Sequence, residues 1–375
     1  MSTKFKVVQI SSVHPAFDTR IFHKVSKSLV RAGYDVDLII QHKKNEIKGG
    51  VNLIKLPIAK KKWDRVIKVI PQLFYKCVGY PKKTIFHFHD PELIPMGMLL
   101  KLFGYKVVYD AHENTPKDFL TKEWFNPRIR VYASKLIEVI EYLADKYLDA
   151  IVTTSTPISE RYTNTNLYEV RNYPILDDKY QKARLSDTPK KNQIIYIGDI
   201  TYRRGIKEMI TGMDLLDESI DTRLVLGGRF SPESIFEEVI ALNGWEKCDF
   251  LGWLSLEEVW RNLSDSKIGL VTIQANQSHF TQLPVKLFEY MAAGIPVICS
   301  DFPMYREIVE SSKCGILVDP SNPREIADAI TRLLNNQSEA KEMGENGKKA
   351  AFNIYNWESE AKKLLNLYTS LIQKK

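Results

Sequence analysis

Cysteine is scarce in this 375-residue chain. There are four, Cys77, Cys248, Cys299 and Cys314, with no CxxC pair and no zinc-type spacing. That excludes a disulfide-stapled scaffold and a cysteine-bound zinc, and it predicts reduced thiols in a cytoplasmic setting. Long apolar runs are missing too. None approaches the roughly eighteen residues a membrane-spanning helix needs, and the opening MSTKFKVVQISS lacks the apolar stretch of a signal peptide. Low-complexity tracts and repeats at solenoid periods are absent. Asp35-Val36-Asp37 superficially matches a DxD metal–nucleotide motif, but its alternation with Tyr34, Val36 and Leu38 reads as ordinary strand.

What is present is the composition of a globular enzyme, 44% hydrophobic and 26% charged, at a length that predicts two domains. The formal net charge of +7 is carried by the segment 60–83, which holds eight basic residues against Asp64 alone. Trp63, Ile67, Ile70, Leu73, Phe74, Tyr75 and Tyr80 interleave with them. A basic, aromatic, amphipathic segment suits an anionic membrane surface. A solvated helix face is the plain alternative, and nucleic acid is not expected as a partner.

Strand and helix alternate along the first half. Strands are expected at Phe5–Ile10, Val36–Ile40, Ile85–Phe88, Lys106–Tyr109 and Ile151–Thr154, with helices at Asp18–Arg31, Leu93–Phe103 and Pro127–Ala150. The polar stretch Asn172–Gln193 marks a boundary, after which the pattern restarts with strands at Gln193–Ile197, Arg223–Leu226, Ile268–Val271 and Pro296–Cys299. Such alternation predicts parallel sheets covered by helices: an α/β chain of two Rossmann-like domains facing a cleft, 1–175 and 190–355. A closing helix at 356–375 shows Trp357, Ala361, Leu364, Leu365, Tyr368 and Leu371 at helical spacing.

In parallel sheets, ligands bind at the carboxyl ends of strands and the amino ends of helices. His87, His89 and Asp90 stand at one such end, and Asp110, His112 and Glu113 at the next. Metal binding by His87, His89 and His112 is conceivable from residue type alone, yet no single element carries a compact ligand spacing, and no metal is expected. Between the first strand and first helix, Ser12–Phe22 offers Asp18, a candidate helix cap, and Arg20, a candidate phosphate ligand. In the second half, Arg203, Arg204 and Lys207 cluster where a helix begins, a good place for a pyrophosphate. Gly227-Gly228 end a strand where the backbone can approach a ligand closely. Trp253 is read as either stacking on a base or packing. The helix opening at Leu283 carries Lys286, Leu287 and Glu289, stops at Gly294 and runs into Ile295–Cys299. A carboxylate at Glu289 is placed to grip two ribose hydroxyls.

The stretch LPVKLFEYMAAGIPVICSD, together with HPAFDTRIF at 14–22, resembles the bacterial branch of family 4 glycosyltransferases, and the resemblance runs over nearly the whole chain. It implies the GT-B fold, with the last helix crossing back to the first domain. It also implies retaining, metal-independent transfer from a UDP- or GDP-sugar, with no other cofactor. The expected acceptor is a glycan or polyprenyl-linked chain of cell-surface polysaccharide, and the expected location is the cytoplasmic membrane surface. His112 aligns with the family histidine beside the donor sugar, and Arg204-Gly205 with its basic–glycine pair. His89, Asp90, Asp18 and Arg20 fall on the acceptor side. The chain departs from the family at Asp199, where a cation is usual, and at Thr281, where the first of two glutamates is usual. Other readings on the same fold are a non-catalytic partner in a polysaccharide assembly complex and a nucleotide-sugar 2-epimerase.

Overall fold

The computed structural model describes residues 5–58, 65–120, 126–164, 166–176, 191–275 and 283–373. Contacts divide the chain into two units, Met1–Asn172 with Trp357–Lys375, and Tyr173–Asn356.

The first unit holds eight strands: β1 (Lys6–Pro15), β2 (Asp35–Gln41), β3 (Glu46–Lys48), β4 (Val51–Leu56), β5 (Ile85–Phe88), β6 (Lys106–Ala111), β7 (Ala150–Thr153) and β8 (Leu167–Glu169). Their order is β3-β4-β2-β1-β5-β6-β7-β8, and only the β3–β4 pair is antiparallel. Apolar runs such as Val7, Val8 and Ile10 are wholly buried, as expected of strands covered on both faces. One face carries the helices ending at Val78, Leu102 and Tyr147. The helix Ile94–Leu102 packs beside both Ile70–Val78 and Pro127–Tyr147. The closing helix Trp357–Gln373 packs against Thr19–Ser26, where Trp357 donates its indole N–H to Ser28 Oγ at 2.9 Å.

The second unit is a six-stranded parallel sheet in the order β11-β10-β9-β12-β13-β14. The strands are β9 (Gln193–Ile197), β10 (Arg223–Gly227), β11 (Cys248–Gly252), β12 (Ile268–Val271), β13 (Val297–Ser300) and β14 (Gly315–Val318). Both sheets reverse their winding beside the first strand of the unit, at β1/β5 and at β9/β12. Doubly wound sheets bind ligands at that reversal, outside the strand carboxyl ends.

Strands β3, β4, β8, β11 and β14 go beyond the elements expected from sequence. Cys248–Gly252 pairs in parallel with β10 at the sheet edge. The expected helix end is found: Gly294, at φ 69°, closes Val285–Ala293. All four cysteines are free and buried. No described helix is long and apolar enough to cross a membrane.

Candidate active site

At the β1/β5 reversal of the first unit the side chains bond to one another. Arg20 donates from Nε and Nη2 to the two carboxylate oxygens of Asp110, each at 2.8 Å, and from Nη1 to the Val170 carbonyl at 3.1 Å. His89 Nδ1 lies 2.9 Å from the same carboxylate, and its Nε2 lies 2.8 Å from Gln9 Oε1. Gln9 Nε2 donates to Tyr368 Oη at 2.8 Å, and that oxygen is 2.7 Å from His87 Nδ1. Burial alone would raise the Asp110 carboxyl, but the Arg20 charge beside it holds it well below the usual carboxylate range. Burial lowers both His87 and His89, against the Asp110 carboxylate, which favours the charged ring of each.

Arg20 is thus not presented to a phosphate. Its guanidinium is buried and fully engaged, which corrects the reading of it as a phosphate ligand. Asp18 is a helix cap: its Oδ1 accepts the N–H groups of Arg20 and Ile21, each at 2.8 Å. Ligand atoms of His87, His89 and Asp110 lie within 4.8 Å of one another, a spacing that admits a cation. The donor chemistry does not fit one. Both Asp110 oxygens and both His89 nitrogens are already bonded, and Arg20 supplies the positive charge.

Next to this network lies a cavity of about 500 Å³, lined on one side by His14, Asp90, His112 and Glu113 and on the other by Phe119, Ile137 and Ile140. Asp90 accepts from the Ser12 N–H at 2.6 Å and sits 3.1 Å from His14 Nδ1. Burial would raise its carboxyl, yet the His14 contact and the serine hydrogen bonds bring it down to about 2. His14 is raised in turn, the Asp90 contact outweighing burial. His112 Nδ1 donates to the Asp110 carbonyl at 3.2 Å, which leaves Nε2 for the cavity. Its ring stands edge-on to His14, centroids 5.3 Å apart.

The β9/β12 reversal of the second unit is built differently. Lys286, in the first turn of Val285–Ala293, lays Nζ 3.7 Å from the centre of the Tyr196 ring. Its stem is partly exposed, but Nζ itself is out of reach of water and has no hydrogen-bond partner. Burial and the nearby Arg204 lower this lysine well below its ordinary range, against the pull of Glu289 and Asp199. The Thr272 hydroxyl at the end of β12 is buried and unpartnered as well. No side chain caps the first turn of Val285–Ala293. Glu289 is half-buried one turn beyond Lys286 on this helix.

Glycines bring these strand ends together. A side chain on Gly205 (φ 78°) would put its Cβ 2.1 Å from the Thr272 carbonyl, and one on Gly228 (φ 151°) would sit 1.9 Å from the Gly198 carbonyl. Gly227 makes room for Leu254, whose Cδ1 would lie 2.6 Å from a Cβ there.

Other expected donor residues separate. Arg204 is half-buried near Lys286 and Arg203 is exposed. Lys207 is drawn outward into an ion pair with Glu238 at 2.7 Å, which corrects its grouping with Arg204. Leu287 is buried in the core. Trp253 is 68% exposed with the Arg229 guanidinium 4.8 Å over its ring, so it is not a packing residue. Thr281 lies outside the described residues, as do Lys60, Lys61 and Lys62 of the basic segment. Within that segment Arg65 pairs with Glu92 at 2.8 Å, while Lys76 and Lys83 are exposed. Gln9, Tyr196 and Tyr368 escape sequence reasoning because strand and helix periodicity mark them only as core.

Residues 177–350 match the family model described as glycosyl transferases group 1. This stretch, under half of the chain, is similar to that family. An uncharacterised glycosyltransferase of Methanocaldococcus jannaschii is 25% identical over 252 residues, 63% of this chain and 63% of that protein, under two thirds of its length. The MMP α-(1→4)-mannosyltransferase of Mycolicibacterium hassiacum is 22% identical over 299 residues, 76% of this chain and 70% of that protein. Among solved structures, Anabaena HepE in complex with UDP and glucose superposes with a TM-score of 0.73 at 12% identity, covering 98% of this chain and all of that one. The chain therefore has the GT-B fold across its whole length.

Proposed function

We propose that this glycosyltransferase moves a sugar from a nucleotide-diphosphate sugar to a hydroxyl of a glycan or lipid-linked acceptor, in the assembly of a cell-surface polysaccharide at the cytoplasmic face of the membrane. The observation that carries the reading is Lys286. A buried ammonium without a hydrogen-bond partner is costly unless an anion completes it. Here it stands beside Arg204 and an uncapped helix start, where a diphosphate finds charge and backbone N–H groups together.

In this reading Lys286 and Arg204 stabilise the negative charge that develops on the leaving diphosphate. Glu289 accepts from the ribose hydroxyls. Trp253 and Arg229 form an exposed stack suited to a base, and the UDP complex of the Anabaena protein favours a UDP-sugar over a GDP-sugar. In the first unit His112 presents Nε2 to the sugar, held by its hydrogen bond to the Asp110 carbonyl. The cavity beside His14 and Asp90 takes the acceptor. Transfer with retention and without metal follows from the family resemblance.

The test is incubation with UDP- and GDP-sugars, following nucleotide release and product anomer by NMR, with and without EDTA. The expected product is α-linked from an α-donor at unchanged rate in EDTA. An inverted product or loss of transfer in EDTA overturns retention or metal independence. Nucleotide binding without any turnover favours the non-catalytic assembly partner, and conversion of the donor to its 2-epimer favours the epimerase.

A further inference from the structure

The helix Pro127–Tyr147 carries a wide apolar arc, buried along one side and exposed along the other. Its inner face supplies Ala144 to the core and Ile137 and Ile140 to the acceptor-side cavity. Its outer face bears Ile129, Tyr132, Leu136 and Val139 at the i, i+3, i+7, i+10 spacing of a single stripe. That stripe is not covered: Tyr132 is 75% exposed and Leu136 61%. An ordinary surface helix has polar residues there. Neighbouring helices on the same face of the sheet continue the pattern, with Leu102 82% exposed beside Pro127–Tyr147 and Tyr75 82% exposed one helix further. Large apolar side chains left exposed along one helix stripe mark an interaction site.

Charge decides what covers it. Arg128, Lys135 and Lys146 are all exposed and fall on one margin of the stripe, since seven and eighteen residues are whole numbers of helical turns. The exposed acid on this helix is Glu138. Glu141 and Asp145 are buried and bonded to Arg161 and Thr163. A second copy of the chain would lay this basic margin against its like. An anionic bilayer complements it, taking apolar side chains into the headgroup boundary while lysine and arginine meet lipid phosphates.

We infer that the outer face of Pro127–Tyr147, flanked by the exposed ends of its neighbours, docks the protein on an anionic lipid bilayer. The surface centres outside the basic segment 60–83 singled out by composition and meets it at Tyr75, and it lies on the helix whose inner side lines the cavity. A lipid-borne acceptor would then meet the cavity at the plane of its own membrane. That purpose rests on the proposed transfer to a lipid-linked acceptor, whereas the docking itself does not.

The experiment is co-sedimentation of the full chain with vesicles of phosphatidylcholine alone or with 30% phosphatidylglycerol. It is run beside titration of UDP and GDP in solution and sedimentation velocity. The expected result is partition at least tenfold stronger to the phosphatidylglycerol vesicles. Leu136→Glu with Val139→Glu should reduce it tenfold or more, and Lys135→Glu with Lys146→Glu should abolish the preference for anionic lipid. Nucleotide affinity and circular dichroism should stay unchanged in both pairs. No partition to either vesicle, or partition indifferent to both pairs, overturns the docking surface. Loss of a solution dimer in the Leu136→Glu, Val139→Glu variant, without vesicle binding in the parent, assigns the stripe to self-association instead. Failure of nucleotide to bind strikes the transferase reading and leaves the docking result to stand alone.

Discussion

The two strand-end sites solve opposite problems. In the first unit the buried charges are answered within the protein: Arg20 meets Asp110, Asp110 meets His89, His14 meets Asp90. In the second, glycines draw three loops together around Lys286 and Thr272, whose buried polar atoms have no hydrogen-bond partner. A self-satisfied network is rigid before any ligand arrives and holds His112 by its backbone neighbour. A buried lysine without a hydrogen-bond partner is costly to the free protein, and the proposed reading gives it an anion to meet. The first site therefore contributes to stability on its own, whereas the second, in the proposed reading, is completed by what it binds.

The sharpest way to break this comparison is Arg20→Ala. It leaves Asp110 a buried charge without its main partner, and the expected loss is about 3–5 kcal/mol in urea denaturation. A loss below about 1 kcal/mol would show that Asp110 is not held by Arg20. In the second unit Glu289→Ala should leave stability nearly unchanged and weaken nucleotide binding by about 1.5–3 kcal/mol, the loss for hydrogen bonds to a charged group. Equal affinity in parent and variant would remove Glu289 from the ribose. Gly228→Ala probes the loop packing, because its new Cβ runs into the Gly198 carbonyl. It should cost about 1–3 kcal/mol of stability and lower nucleotide affinity with it.

The smallest effect is expected from pH. His14 is raised, so its contribution is full below 6.5 and fades as pH climbs through the raised value. Asp90 is lowered, so its contribution is full above 3.8 and fades as pH falls through about 2. The pair should stabilise most between 3.8 and 6.5. Against His14→Gln, the parent should lose about 1 kcal/mol of its advantage on going from pH 5 to pH 8. A difference flat with pH would mean the pair carries no charge.

Much of this was legible from residue pattern. Apolar runs bounded by polar turns locate β5, β9 and β12, and Ala-Ala-Gly locates the end of the helix that carries Lys286. The strands that escaped are short or atypical. Leu167–Glu169 has three residues, and Gly315–Val318 has four and opens on a glycine whose Cβ would strike Val297. Position along the chain also identified Arg20, Lys207 and Lys286 as cations near helix starts. It does not say which way a side chain turns, because the partners are distant: Asp110 is 90 residues from Arg20, and Tyr368 is 359 from Gln9. The apolar outer stripe of Pro127–Tyr147 was hidden for a related reason. A helix with so wide an apolar arc reads as one well-buried helix until the burial of each residue is known.

The central claim is that the second unit holds a nucleotide diphosphate at Lys286. Calorimetric titration with UDP, GDP and ADP, in parent and Lys286→Met, with and without magnesium, tests it most directly. Micromolar binding of one nucleotide is expected, indifferent to magnesium and lost in the variant, with proton uptake by the parent because burial lowers the free lysine. Binding that survives Lys286→Met, or no binding of any of the three to the parent, would contradict it.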